Sequence, residues 1–148
     1  MRTRRAVLAV LLWAASAVVP AGGAEPEPMG TLQIIVSNVR AGHGHVHVAI
    51  CPQAIFLKDE CADRAIVPAT LGETLVVIGD LAAGTYAAQV YFDENDNGDL
   101  DRSLLGIPEE GVGFSNDPSF IFRAPRFAET AFRFDGVSGS IRVRLRYY

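Results

Sequence analysis

The run D-E-N-D-N-G-D-L-D, from Asp93 to Asp101, concentrates hard oxygen donors in one short stretch. Asp93, Asn95 and Asn97 stand at alternate positions and Gly98 follows, which is how a calcium loop of the form D-x-[DN]-x-[DN]-G begins. Oxygens at alternate positions can wrap one ion, and the glycine permits the sharp turn. In that geometry Asp99 supplies its carbonyl and Asp101 a further carboxylate. The pattern then departs from an EF-hand. The twelfth position is Leu104 instead of a bidentate Glu, and the flanks read as strand and loop, not helices. Glu109 or Glu110 returns soon enough to supply the missing carboxylate. The competing reading is a solvated hairpin tip, since Asn, Asp and Gly favour turns by themselves. The expected ligand set is therefore Asp93, Asn95, Asn97, Asp99, Asp101 and Glu110, and the expected cofactor is calcium.

Charge supports a cation there. Asp93 to Asp117 holds eight acidic residues and one base, Arg102, a net charge of −7. Charge packed this tightly repels itself unless solvent or a counter-ion relieves it.

Two other constellations carry possible chemistry. His43, His45 and His47 lie in A-G-H-G-H-V-H-V. On a strand, H-x-H places two imidazoles on one face, about 7 Å apart, within reach of one zinc or copper ion. This gives the alternative of a periplasmic transition-metal binder, against the plainer one of a half-exposed strand face. Ser115, in G-F-S-N-D, is the remaining nucleophile to weigh. It lies outside a G-x-S-x-G elbow, and a hydrolase using Ser115 with loop carboxylates needs a base brought from elsewhere.

The elements that must position these residues read as strands. T-L-Q-I-I-V-S-N-V sets Leu32, Ile34 and Val36 on one face, and G-H-V-H-V-A-I-C sets Val46, Val48 and Ile50 opposite His45 and His47. E-T-L-V-V-I-G-D-L and G-T-Y-A-A-Q-V-Y-F follow, the latter with Tyr86, Ala88, Val90 and Phe92 on one face. S-F-I-F-R, F-A-E-T-A-F-R-F and S-I-R-V-R-L-R-Y-Y read as the closing strands. No stretch after the N-terminal segment keeps a helical period. The expected fold is all-β, an immunoglobulin-like or transthyretin-like β-sandwich of about seven antiparallel strands. An outer-membrane barrel is excluded because the last strand's row of Arg142, Arg144 and Arg146 would face lipid. That row reads as a solvated face that discourages edge pairing, or as a dock for an anionic partner.

The chain opens with Arg2, Arg4 and Arg5, then a 14-residue apolar run, then small residues. This is the layout of a secretory signal peptide, with cleavage expected after Ala24, and the run is short for a membrane span of about 20 residues. The expected division is a signal peptide over 1–24, a short leader over 25–30 and one β-sandwich domain over 31–148, secreted or periplasmic. From Glu25 onward 10 basic residues face 17 acidic ones, a formal charge of −7, which disfavours nucleic acid as a partner. Cys51 and Cys61 are the only cysteines and, in an oxidising compartment, are expected to pair. The mature protein is expected to have no membrane span.

The acidic run followed by L-G-I-P-E-E-G-V-G-F-S-N resembles the signature of a bacterial secreted family, domain of unknown function 2141. The matching positions are Asp93, Asn95, Asn97, Gly98, Leu100 and Asp101, then Gly106, Ile107, Pro108, Glu110, Gly111, Gly113, Phe114, Ser115 and Asn116. G-H-V-H-V-A-I-C with the later Phe56 is similar to the family's strand and loop Phe. Departures are Glu109, where a base is common, and Val112, where an aromatic is common. The resemblance implies export and a β-sandwich, and no known activity. The functional expectation is an exported, non-catalytic binding or structural module whose partner at the cell envelope is a protein or a carbohydrate.

Overall fold

The computed structural model describes residues 28–58, 60–119 and 123–148. The expected signal peptide lies outside the described residues, as does most of the expected strand S-F-I-F-R. Eight strands account for most of the rest: β1 (Met29–Val39), β2 (His45–Cys51), β3 (Asp63–Pro68), β4 (Gly72–Ala82), β5 (Gly84–Asp93), β6 (Gly111–Phe114), β7 (Ala131–Phe134) and β8 (Ser138–Arg144). β1 begins at Met29, inside the expected leader, where Met29 and Gly30 pair with Ala82 and Leu81.

The strands form two sheets, one ordered β4-β1-β8 and one ordered β3-β2-β5-β6, with β7 paired to β5. The alternating rows face each other between them. Leu32, Ile34 and Val36 of β1, Val46, Val48 and Ile50 of β2, Ala88, Val90 and Phe92 of β5, and Val143 with Leu145 are all buried in one core. This is the sandwich that period-two apolar patterning requires. Among the described residues no helix is long and apolar enough to cross a membrane.

Among the described residues the eight strands in two sheets accord with the expected sandwich of about seven. Two features differ from expectation. β8 pairs with β1 in parallel, Ile34 beside Ile141 and Val36 beside Val143, so the sandwich is not wholly antiparallel. F-A-E-T-A-F-R-F is not one strand: Phe127–Thr130 forms a helical turn, because Glu129 caps it by accepting the Arg126 N–H, and only Ala131–Phe134 is extended.

The short β6 follows from close packing. A Cβ on Gly113 would sit 2.6 Å from the Arg144 carbonyl oxygen, and one on Gly111 would sit 2.6 Å from the Tyr147 ring. Only glycine lets β6 lie this near the chain end, where Val112 exchanges hydrogen bonds with Arg146. Cys51 and Cys61 are joined by a disulfide, with Cα atoms 5.2 Å apart, closing the loop between β2 and β3.

Candidate functional site

The outer face of β5 carries Gln89, Tyr91 and Asp93, opposite in phase to its buried row. Across the strand pair, Asp93 lies beside His45 and Tyr91 beside His47. The acidic run leaves β5 at Asp93 and folds back over this face, where the Tyr91 hydroxyl donates to the Gly98 carbonyl at 3.0 Å. The fold-back explains why Asp93, on an outer row, is only 2% exposed.

Asp93 organises the loop. Its Oδ1 accepts the Asn97 N–H at 3.1 Å and its Oδ2 accepts the Gly98 N–H at 2.8 Å. Asp96 and Gly98 have positive φ, 60° and 85°, which turns those amides inward. Asn95 Oδ1 also accepts the Asn97 N–H, and Asn97 Oδ1 accepts the Asp99 N–H. The amide nitrogens of Asn95 and Asn97 both donate to the Asp101 carboxylate, at 2.7 and 2.9 Å.

Glu110 closes the loop from the other side. It is 5% exposed, its Oε1 accepts the Glu94 N–H at 2.9 Å, and its Oε2 accepts the Asp101 N–H at 3.2 Å. Glu109 is exposed instead, because successive side chains point to opposite faces as the chain enters β6. Five of the six expected ligand residues, Asp93, Asn95, Asn97, Asp101 and Glu110, thus share one hydrogen-bond network. The sixth, Asp99, joins it through its backbone N–H. Among the described residues no three His, Cys, Asp or Glu side chains converge as a ready metal site. The donors are nonetheless all oxygen, mixed carboxylate and amide, and carboxylate oxygens accepting one N–H keep lone pairs for a cation. That chemistry fits calcium better than a softer metal.

The histidines adjoin this loop, although their separation in sequence hides it. His45 Nδ1 lies 2.6 Å from Asp96 Oδ1. His47 stacks on Tyr91, with its Nδ1 2.8 Å from the Tyr91 hydroxyl and its Nε2 3.4 Å from Asp93 Oδ2. Burial lowers the His47 pKa, against the pull of Asp93. His43 stands exposed in the turn before β2. His45 and His47 therefore spend ring nitrogens on the loop and on Tyr91. Sequence reading missed Tyr91, although its place two residues before Asp93 on a strand puts both on one face.

Ser115 is buried away from the loop. Its Oγ donates to the Thr130 carbonyl and accepts the Ala88 N–H at 2.9 Å. A hydroxyl enclosed this way ties β5 to the helical turn. The arginine row is divided: Arg142 pairs with Glu73, Arg146 pairs with Asp117 at 2.9 Å, and Arg144 is exposed. Arg40, absent from the sequence reading, pairs with Glu94 and lies over the Tyr147 ring at 4.3 Å, which bolts the start of the loop to the end of the chain.

No curated protein and no solved structure matches the chain. The pattern of one family spans residues 34–142, from the middle of β1 to β8 and including the whole acidic loop. The chain belongs to that family, domain of unknown function 2141, described as an uncharacterised protein conserved in bacteria.

Proposed function

We propose that the chain is an exported, non-catalytic binding or structural β-sandwich whose loop from Asp93 to Asp101, closed by Glu110, holds calcium. The observation that carries this reading is the position of Glu110. An EF-hand loop obtains its last carboxylate from its twelfth residue, and here that residue is Leu104. The buried Glu110 returns to the loop and takes the Asp101 N–H, so a carboxylate stands on the side where the linear pattern lacks one. Asp93, Asn95, Asn97 and Asp101 would supply the other side-chain oxygens, with the Asp99 carbonyl beside them. The ion would relieve repulsion among acids that otherwise rely on amide donors. The Cys51–Cys61 disulfide supports an oxidising, exported setting.

Calcium titration of thermal stability tests the reading. Extracellular calcium modules often bind with a dissociation constant of about 10⁻⁴ M or weaker. At a hundredfold excess over that constant, calcium should add about 2.7 kcal/mol and raise Tm by several degrees. Magnesium should do less because it loses its waters reluctantly. Asp93→Ala with Asp101→Ala should abolish the rise. Superimposable melting curves in calcium, magnesium and chelator at matched ionic strength would overturn the proposal. A larger rise with zinc or copper, lost in His45→Ala with His47→Ala, would favour the histidines instead.

A further inference from the structure

We propose that β4 is a self-association edge, on which a second copy of the chain adds its own β4 antiparallel about a two-fold axis at Leu75. Among the described residues β4 pairs only with β1, so the opposite side of this 11-residue strand has no strand partner. The other margin of this sheet is engaged, since Arg146, just beyond β8, bridges to Val112. The outer face of β4 is apolar: Leu75 is 57% and Val77 is 50% exposed. Exposed apolar edges of this kind are templates for further strands unless charge, proline or a bulge blunts them.

The blunting devices lie at the ends of β4 and leave its middle open. The β1–β4 register slips between the Gly30–Leu81 and Leu32–Ile78 pairs, which makes Gly79 and Asp80 a bulge, with Asp80 at φ 52°. A second shift, between the Ser37–Glu73 and Val39–Gly72 pairs, and φ 88° at Gly72 confine regular pairing to Glu73–Ile78. Within that segment Glu73 is the one charged residue, and Arg142 already neutralises it. β3, the edge of the other sheet, differs: it carries Asp63 and Arg64 and ends in Pro68, all unfavourable for an added strand.

The occupant follows from the symmetry of the segment. With the axis at Leu75, Leu75 meets its own copy, Thr74 meets Val76, and Glu73 meets Val77. No acid faces an acid, and Asp80 falls outside the paired stretch. The contact is isologous, so it closes at two copies and leaves no new edge. A three-stranded sheet becomes a six-stranded one, β8-β1-β4 continued by its symmetry mate. This inference stands apart from the calcium reading, because β4 and the acidic loop belong to different sheets.

Sedimentation equilibrium of the purified processed protein tests it. The contact is small, so dissociation should fall at about micromolar to millimolar concentration. The expected result is an average mass that climbs with concentration and levels at twice the monomer, equally in calcium and in chelator. Leu75→Lys places two ammonium groups together on the axis and should weaken association at least tenfold, whereas Leu104→Lys, at an exposed site outside β4, should not. If Leu75→Lys misfolds, hydrogen exchange of the unaltered protein gives the same answer. The amides of Thr74–Ile78 should gain protection as concentration rises. A constant monomer mass, growth beyond two copies without a plateau, a dimer indifferent to Leu75→Lys, or concentration-independent exchange over Thr74–Ile78 would each overturn the proposal.

Discussion

Asp93 and Glu110 grip the same loop from opposite sides. Asp93 takes the N–H groups of Asn97 and Gly98, and Glu110 takes those of Glu94 and Asp101. Both carboxylates are almost fully buried. Buried acids are unfavourable unless hydrogen-bonded, and here the loop backbone supplies the donors. The loop shape therefore depends on these two acids whether or not an ion is present.

Glu110→Ala should consequently destabilise the protein even in chelator. It strands the Glu94 and Asp101 N–H groups and opens a gap beside them, at a cost of about 2–4 kcal/mol. Glu110→Gln keeps one accepting oxygen and should lose less. Denaturant unfolding of both variants in chelator checks the order. Equal stability of Glu110→Ala and the parent protein would mean that the loop is not held from this side.

Ser115 offers a contrast, since it also sits in the family signature. Its hydroxyl satisfies the Ala88 N–H and the Thr130 carbonyl at once. Ser115→Ala should therefore cost about 2–3 kcal/mol by leaving both unsatisfied. The calcium-dependent rise in Tm should be unchanged, because no loop ligand is touched. Unaltered unfolding of Ser115→Ala would refute the staple role.

Glu129 gives a pH dependence. The Arg123 guanidinium, joined by the Arg126 N–H, lowers its pKa from 4.5 to about 2. A carboxyl depressed in the folded state contributes stability above its unfolded pKa, and that contribution is lost as pH falls toward the folded value. The parent protein should thus exceed Glu129→Gln in stability at neutral pH, and the gap should shrink between about pH 4.5 and pH 2. Glu129 stands at the surface, so the gap should also shrink with added salt. Parallel acid titrations of both proteins, followed by circular dichroism, measure it. A gap that widens as pH falls would contradict the pairing.

Local periodicity made much of the fold legible. The rows Leu32–Ile34–Val36, Val46–Val48–Ile50 and Val143–Leu145 lie buried where alternation places them. β3 was hidden because its inward row is only half-buried and its sequence, D-R-A-I-V-P, is that of a protected edge. β6 was hidden because G-V-G-F spends its glycines on close approach to Tyr147 and Arg144, which erases any alternating pattern. The parallel pairing of β1 with β8 joins opposite ends of the domain and has no local signal. At the site, the Asp93–Asn95–Asn97 spacing was visible in the chain. The meeting of His45 and His47 with the same loop was not, because strand pairing alone creates it.

Asn95 and Asn97 hold the Asp101 carboxylate by their amide nitrogens. Those two hydrogen bonds occupy oxygens that a bound calcium would need. Each Asp101 oxygen accepts one N–H and keeps a lone pair for the cation, so coordination would draw on the same oxygens and weaken both hydrogen bonds. In nitrogen-15 spectra the side-chain amide signals of Asn95 and Asn97 should move on calcium addition, and less so with magnesium. Asp101→Asn separates the two roles of the residue. It retains an oxygen for one of the amides, so stability in chelator should change by less than about 1 kcal/mol. It loses the charge that attracts the ion, so the calcium-dependent rise in Tm should largely disappear. Amide signals that stay fixed while calcium raises Tm would mean that the ion binds elsewhere. Asp93 to Asp101 would then be a hairpin tip held by its own amides.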